Sequence, residues 1–212
     1  VKTIIETGGG HVSVLPQEEP TRKQYIPNEE QLRARIETIP GVIGTSARYR
    51  LGATITYDPE KDGKSNVVSA SIIAIQPQDE GKLFTIDENI VDGEYLSGLA
   101  NDEILLSVGL AGGYNLPYDT DLGGVRPGDE VDVTFSNGII RTYKIKGIFQ
   151  VAGPAELSAF INAREAESIL SVHDEASEIV VMAEEGIDLG ALDTRITGMA
   201  PQLVVKQFGE RL

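Results

Sequence analysis

The stretch Val125 to Phe149, VRPGDEVDVTFSNGIIRTYKIKGIF, constrains this chain more than any other. Arg126-Pro127-Gly128-Asp129 joins a proline with preset φ, a glycine that accepts positive φ and an aspartate able to bond its own backbone, which is turn chemistry. Beyond it Val131, Val133 and Phe135 alternate with Glu130, Asp132 and Thr134, so the spacing predicts a strand with one apolar and one wet face. Asn137-Gly138 then reverses the chain, because both residues tolerate the positive φ of a tight hairpin. The return run sets Ile139, Arg141, Tyr143 and Ile145 against Ile140, Thr142, Lys144 and Lys146. The hairpin offers no nucleophile, base or metal cluster, so it speaks of architecture and not of chemistry.

Before the hairpin, Ile4-Ile5 and the joint Gly8 to Gly10 lead into a strand, His11 to Leu15, stopped by Pro16; Gln17 to Tyr25 is a polar loop. Asn28 with Gln31 has capping-box spacing and opens a helix whose Leu32, Ile36 and Ile39 form one apolar stripe, with Arg33, Arg35 and Glu37 facing out and Pro40-Gly41 ending it. Residues 42 to 57 are β-rich and run into the acidic turn Asp58 to Gly63. The strand Val67 to Ile75 is apolar or small on both sides, which predicts cover on both faces, and Gln76-Pro77 closes it. From about Gln78 to Pro154 the texture changes to short glycine-punctuated strands. Then Asn162 with Glu165 repeats the capping-box spacing before Ala166, Ile169 and Leu170. Glu178 to Ala183 reads as a strand, Asp188 caps a helix with Leu189, Leu192 and Ile196 ended by Gly198, and Gln202 to Phe208 is a last strand after Pro201. The two ends mirror each other as strand, helix, strand, which suits one mixed sheet with helices on one face. The expected fold is α+β: residues 1–77 and 155–212 form one mixed α/β subdomain, and 78–154 is a β-rich subdomain inserted into it.

Composition narrows function. With 212 residues, 41% of them hydrophobic, the chain can bury a real core. A net charge of −15 argues against a nucleic-acid partner, which needs concentrated basic surface, and against an anionic membrane face. The absence of cysteine closes disulfide and thiolate-metal arguments and suits an extracytoplasmic bacterial or archaeal domain. There is no signal sequence and no apolar run of about 18 residues. A chain starting at Val1 and stopping at Leu212 reads as a soluble piece of a longer protein, with membrane segments outside both ends.

Candidate chemistry is thin. His11 and His173 are far apart without an acid at ligand spacing, and Ser107 and Ser136 lack a nucleophile elbow. Asp119, Asp121 and Glu130, with Gly124, fall at calcium-loop positions, yet Gly123 replaces a ligand and Pro127 interrupts the loop. Asp58, Glu60 and Asp62 read as a charged hairpin tip. Glu184-Glu185, with Asp174 and Glu175 upstream, lack the cleft that a carboxylate pair needs. No catalytic, cofactor-binding or metal-binding residue is assigned, and no cofactor is expected.

Several residues in order resemble the MacB-like periplasmic core domain of ABC transporter permeases, the family that includes lipoprotein-releasing and FtsX-like permeases. They are Gly41-Val42; Ile75 and Pro77; Gly93-Glu94-Tyr95-Leu96; Glu103-Ile104-Leu105-Leu106 followed by Leu110-Ala111; Gly128-Asp129; and Lys146-Gly147-Ile148-Phe149, spread over residues 10 to 208. The resemblance implies an extracytoplasmic domain between the first two transmembrane helices of a permease, with a porter-like α/β half made by both chain ends and an inserted β-rich half. It also implies partners: the flanking membrane helices, a cytoplasmic ABC ATPase subunit, a second permease copy as homodimer or heterodimer, and an adaptor or lipoprotein. The long helical arm of some members has no counterpart here. The expected function is therefore a non-enzymatic domain that couples cytoplasmic ATP hydrolysis to extracytoplasmic movement, its chain ends side by side. A secreted binding or adhesion module using calcium is the alternative, and a hydrolase with an unrecognised site a third reading.

Overall fold

A β-strand buried on one face hides every second residue, whereas the first strand of this chain is covered on both faces and hides three in succession, Val12, Ser13 and Val14. The computed structural model describes residues 10–116, 118, 120–152 and 156–209. Strand β1 (Gly10–Leu15) buries Val12 and Val14 completely; a short β2 (Ile26–Pro27) and helix α1 (Glu29–Ile36) follow. The spine is β3 (Val42–Tyr57), 16 residues long, which turns at Asp58–Gly63 into β4 (Asn66–Ile75). Pro77 occupies the first turn of α2 (Pro77–Leu83), where its missing N–H costs nothing. The middle of the chain supplies β5 (Ile90–Gly93), β6 (Glu103–Ser107), the single turn α3 (Val108–Ala111), and the hairpin of β7 (Glu130–Phe135) and β8 (Ile140–Phe149). The remainder is β9 (Ser158–Asn162), α4 (Ala163–Leu170), a short β10 (Glu175–Ala176), β11 (Glu178–Ala183), α5 (Leu189–Met199) and β12 (Val204–Gly209).

Ten strands share one mixed sheet, and part of it closes on itself. β3 pairs with β4, β4 with β9, β9 with β6, β6 with β8, β8 with β7, and β7 returns to β3, a ring of six strands. Their inward residues fill it: Leu51 and Ile55 of β3, Ile72 of β4, Leu106 of β6, Val133 of β7 and Tyr143 of β8 all belong to one buried cluster. Each such side chain contributes about 1.5–3 kcal/mol by leaving water. Helix α4 closes one mouth with Ala163, Ala166 and Ile169, and Asn137 at the hairpin tip donates to the Ile169 carbonyl at 3.0 Å, satisfying the helix end. The hairpin thus matches its predicted pleat, with Val131, Val133, Phe135, Tyr143 and Ile145 buried.

Beside the barrel, β12, β1, β11 and the first half of β3 form an antiparallel wing. On one face Ile179, Val181 and Ala183 pack with Leu32 and Ile36 of α1 and Leu192 and Ile196 of α5. On the other, Val180 and Met182 meet Leu83 of α2, and Phe149 packs on Phe160 with ring centroids 5.2 Å apart. Helices therefore lie on both faces, because α2, too short to show a helical period, covers the face opposite α1 and α5.

Local readings need four corrections. Asn28 sits in the left-handed region (φ 52) and makes no cap; Asp174 instead receives the Glu29 N–H at its carbonyl (3.2 Å) and the Glu30 N–H at Oδ1 (3.0 Å). Asn162 does cap α4 by accepting from the Arg164 N–H, yet Glu165 turns to the Tyr143 hydroxyl at 3.0 Å instead of closing a box. Arg33 does not face out but points inward. The first half of β4 is covered on one face only: Val67 and Ser69 are exposed while Val68 and Ala70 are buried.

Candidate functional site

The described chain enters and leaves at one place. β1 and β12 are antiparallel in register from Gly10 opposite Gly209 to Leu15 opposite Val204, so the first and last described residues are neighbours. Gly10 also faces Ala183 of β11, and Ala183 faces Val42 of β3, which puts the starts of β1 and β3 and the end of β11 on the same edge. β1 is thus held by two ladders of hydrogen bonds, one to β11 and one to β12.

Side chains reinforce the backbone. Ser13 of β1 donates to Glu178 of β11 at 2.7 Å, and Glu178 accepts from Arg50 Nε of β3 at 2.8 Å. Burial works against the Glu178 carboxylate, but Arg50 and Arg48 outweigh it and hold its pKa below the ordinary range. Two residues before Arg50 on the same face of β3, Arg48 forms an ion pair with Glu80 of α2, which is fully buried and also accepts from the Ser46 hydroxyl. Arg48 stacks over Phe84 at 4.6 Å. Burial opposes the Arg48 charge, and Glu80 overcomes that and raises its pKa. Arg33 of α1 donates to Thr45 Oγ1 at 2.9 Å and to Asp79 of α2 at 2.7 Å, tying both helices to β3. These contacts bolt β1, β11, α1 and α2 to β3, and β3 runs on into the barrel wall. The arrangement holds a body rigid: both serine hydroxyls are buried, and the carboxylates they donate to are already paired with arginines.

The residues weighed from sequence are scattered. His11 stacks flat on Phe208 (4.8 Å, 8°), and burial and then Arg48 lower its pKa, with Glu178 opposing. His173 is exposed at the far side of α4, 3.8 Å from Glu167. Ser107 is buried at the end of β6 and Ser136 exposed in the hairpin turn. Asp58 accepts from the Gly63 N–H at 3.0 Å and Asp62 from the Lys64 N–H at 2.9 Å, so the tip binds itself, with Glu60 exposed. Glu184 and Glu185 lie exposed in the turn after β11, whereas Asp174 caps α1 and Glu175 is in β10. Asp119 falls outside the described residues; Asp121 accepts from the Gly123 N–H at 2.7 Å, and Glu130 stands on β7. Among the described residues the acidic group compact enough for a metal is Glu29, Glu30 and Asp174, where Asp174 already caps α1 and Glu29 is 3.5 Å from Arg33. Burial raises the Glu29 pKa, which further disfavours a bare carboxylate cluster. Sequence reasoning passed over Ser13, Arg48, Glu80 and Glu178; the one local signal was Ser46, Arg48 and Arg50 alternating with Ala47, Tyr49 and Leu51.

Among the described residues no helix is long and apolar enough to cross a membrane. No protein-family model matches the sequence, and no curated protein does. Solved structures do. The periplasmic region of MacB from Actinobacillus actinomycetemcomitans is 9% identical and superposes with a TM-score of 0.62, covering 94% of this chain and 89% of that one. The extracellular domain of the noncanonic ABC-type transporter YknZ from Gram-positive bacteria is 10% identical with a TM-score of 0.62, covering 92% and 99%. A domain of a putative permease from Porphyromonas gingivalis is 18% identical with a TM-score of 0.57, covering 94% and 90%. The likeness is one of fold: an α+β body with a large mixed sheet.

Proposed function

We propose that this chain, having the fold of the MacB periplasmic and YknZ extracellular domains, is the extracytoplasmic domain of an ABC transporter permease subunit. The observation that carries the reading is the pairing of Gly10 with Gly209, which suits a body whose two ends return to one membrane face. Partners in this reading are the flanking membrane helices, a cytoplasmic ABC ATPase subunit, a second permease copy and an adaptor or lipoprotein. The domain acts as a rigid lever: closure of the ATPases shifts the membrane helices, the shift enters through β1 and β12, and β3 carries it to the barrel. Coupling ATP hydrolysis to export, with no catalysis in the domain itself, is what this reading assigns to it. Residues 1–77 and 155–212 are taken as the porter-like subdomain and 78–154 as its insert; the cluster around α1 and α5, drawn wholly from the first set, supports that division.

The chain has no cysteine, so a single one can be added cleanly. With Glu60→Cys in the full-length protein in intact cells, the reading predicts labelling by a membrane-impermeant maleimide and apolar spans of about 20 residues flanking the domain. Labelling only after lysis, or flanks without such spans, contradicts it.

A further inference from the structure

Against a net charge of −15, one concave surface gathers cations. A hollow of about 760 Å³ lies between the 16–24 loop, the end of β1, the middle of β3 and the start of β12, and Arg22, Lys23, Arg50 and Lys206 all line it. Two of these are answered within the chain: Arg22 lies 3.5 Å from Glu19, and Arg50 lies 2.7 Å from Glu178. The other two are not. Lys23 Nζ donates to the Arg50 carbonyl and rests 5.7 Å from the Tyr25 ring, but meets no carboxylate among the described residues. Lys206 has no ion pair among the described residues. Burial and then the Arg50 charge lower the Lys23 pKa, as expected of an ammonium crowded by a cation and lacking an anion.

Leu15 and Val204 give the same hollow an apolar side. We propose that this hollow is a binding site for an oxyanion carried on an apolar body, an organic carboxylate or phosphate ester, paired with Lys23 and Lys206. The site stands independently of the permease reading, since it rests on charge and shape alone.

Calorimetric titration of the folded chain with hexanoate and with hexyl phosphate at low ionic strength tests it, inorganic phosphate serving as the probe without an apolar body. Saturable binding of either tailed probe, tighter than inorganic phosphate and weakened about tenfold or more in Lys23→Gln/Lys206→Gln, is the expected result. Binding by one tailed probe alone supports the site and identifies its source as carboxylate or phosphate ester. No saturable heat with either tailed probe, inorganic phosphate binding as tightly as both, or equal affinity in a folded double variant overturns the proposal.

Discussion

Glu80→Ala probes the junction between wing and barrel. Glu80 is fully buried and the Arg48 side chain 12% exposed, so deleting the carboxylate leaves a guanidinium without its counter-ion and the Ser46 hydroxyl without its acceptor. Breaking a buried pair from one side costs about 3–5 kcal/mol. A domain of this size loses roughly 2–4 °C per kcal/mol, so the melting temperature should fall by roughly 6–20 °C. The double variant Arg48→Met/Glu80→Leu removes both charges and leaves only the Ser46 hydroxyl unpaired, so it should cost about 1–3 kcal/mol, less than the single variant, because the desolvation penalty disappears with the attraction. Equilibrium denaturation followed by circular dichroism reads both. A Glu80→Ala cost under about 1 kcal/mol, or a double variant as damaged as the single, would refute the claim that this pair is buried and mutually dependent.

Three further outcomes follow from single contacts. Because the folded pKa of His11 lies below its ordinary 6.5, the stability it contributes is fully present above 6.5 and is lost as pH falls from there toward the folded value; His11→Phe should flatten the decline in melting temperature between about pH 7 and pH 5.5. Gly147 faces Gly93 where β5 meets β8, and a Cβ there would collide with the Glu94 carbonyl, which is backbone and cannot swing away; Gly147→Ala should cost about 1–3 kcal/mol or more in denaturant unfolding. Asn137→Ala removes the donor to the Ile169 carbonyl and should cost about 1 kcal/mol in the same assay, with the hairpin strands retained.

Legibility followed sequence distance. The hairpin, the Asp188 cap and the apolar stripes of α1 and α5 were readable because each depends on residues within a few positions of one another. Asp188 accepts from the Gly190 N–H at 2.9 Å, as its place before Leu189 predicts. Barrel closure was not readable, since β3 meets β7 only when Ala53 faces Phe135 and Thr56 faces Asp132, and no local pattern specifies a partner so far along the chain. Arg33 looked like a solvent-facing charge because its partners Thr45 and Asp79 come from other elements. The cap of α1 failed for the same reason: Asp174 reaches it across 144 positions and leaves Asn28 free to adopt φ 52. Of the candidate site, the meeting of the ends was inferable only through the resemblance; the Ser13–Glu178–Arg50 link belongs to three strands and shows in none of them alone.

Under the proposed function, this body moves as one piece between two membrane crossings. Pulsed electron-paramagnetic-resonance distances in the full-length transporter test it most directly, with labels at the exposed residues Glu60 and Glu185, at the barrel tip and at the base. The account predicts an unchanged Glu60–Glu185 distance within one copy on ATP binding, together with a changed Glu60–Glu60 distance between copies. A shift within the copy, or no shift between copies, would contradict it.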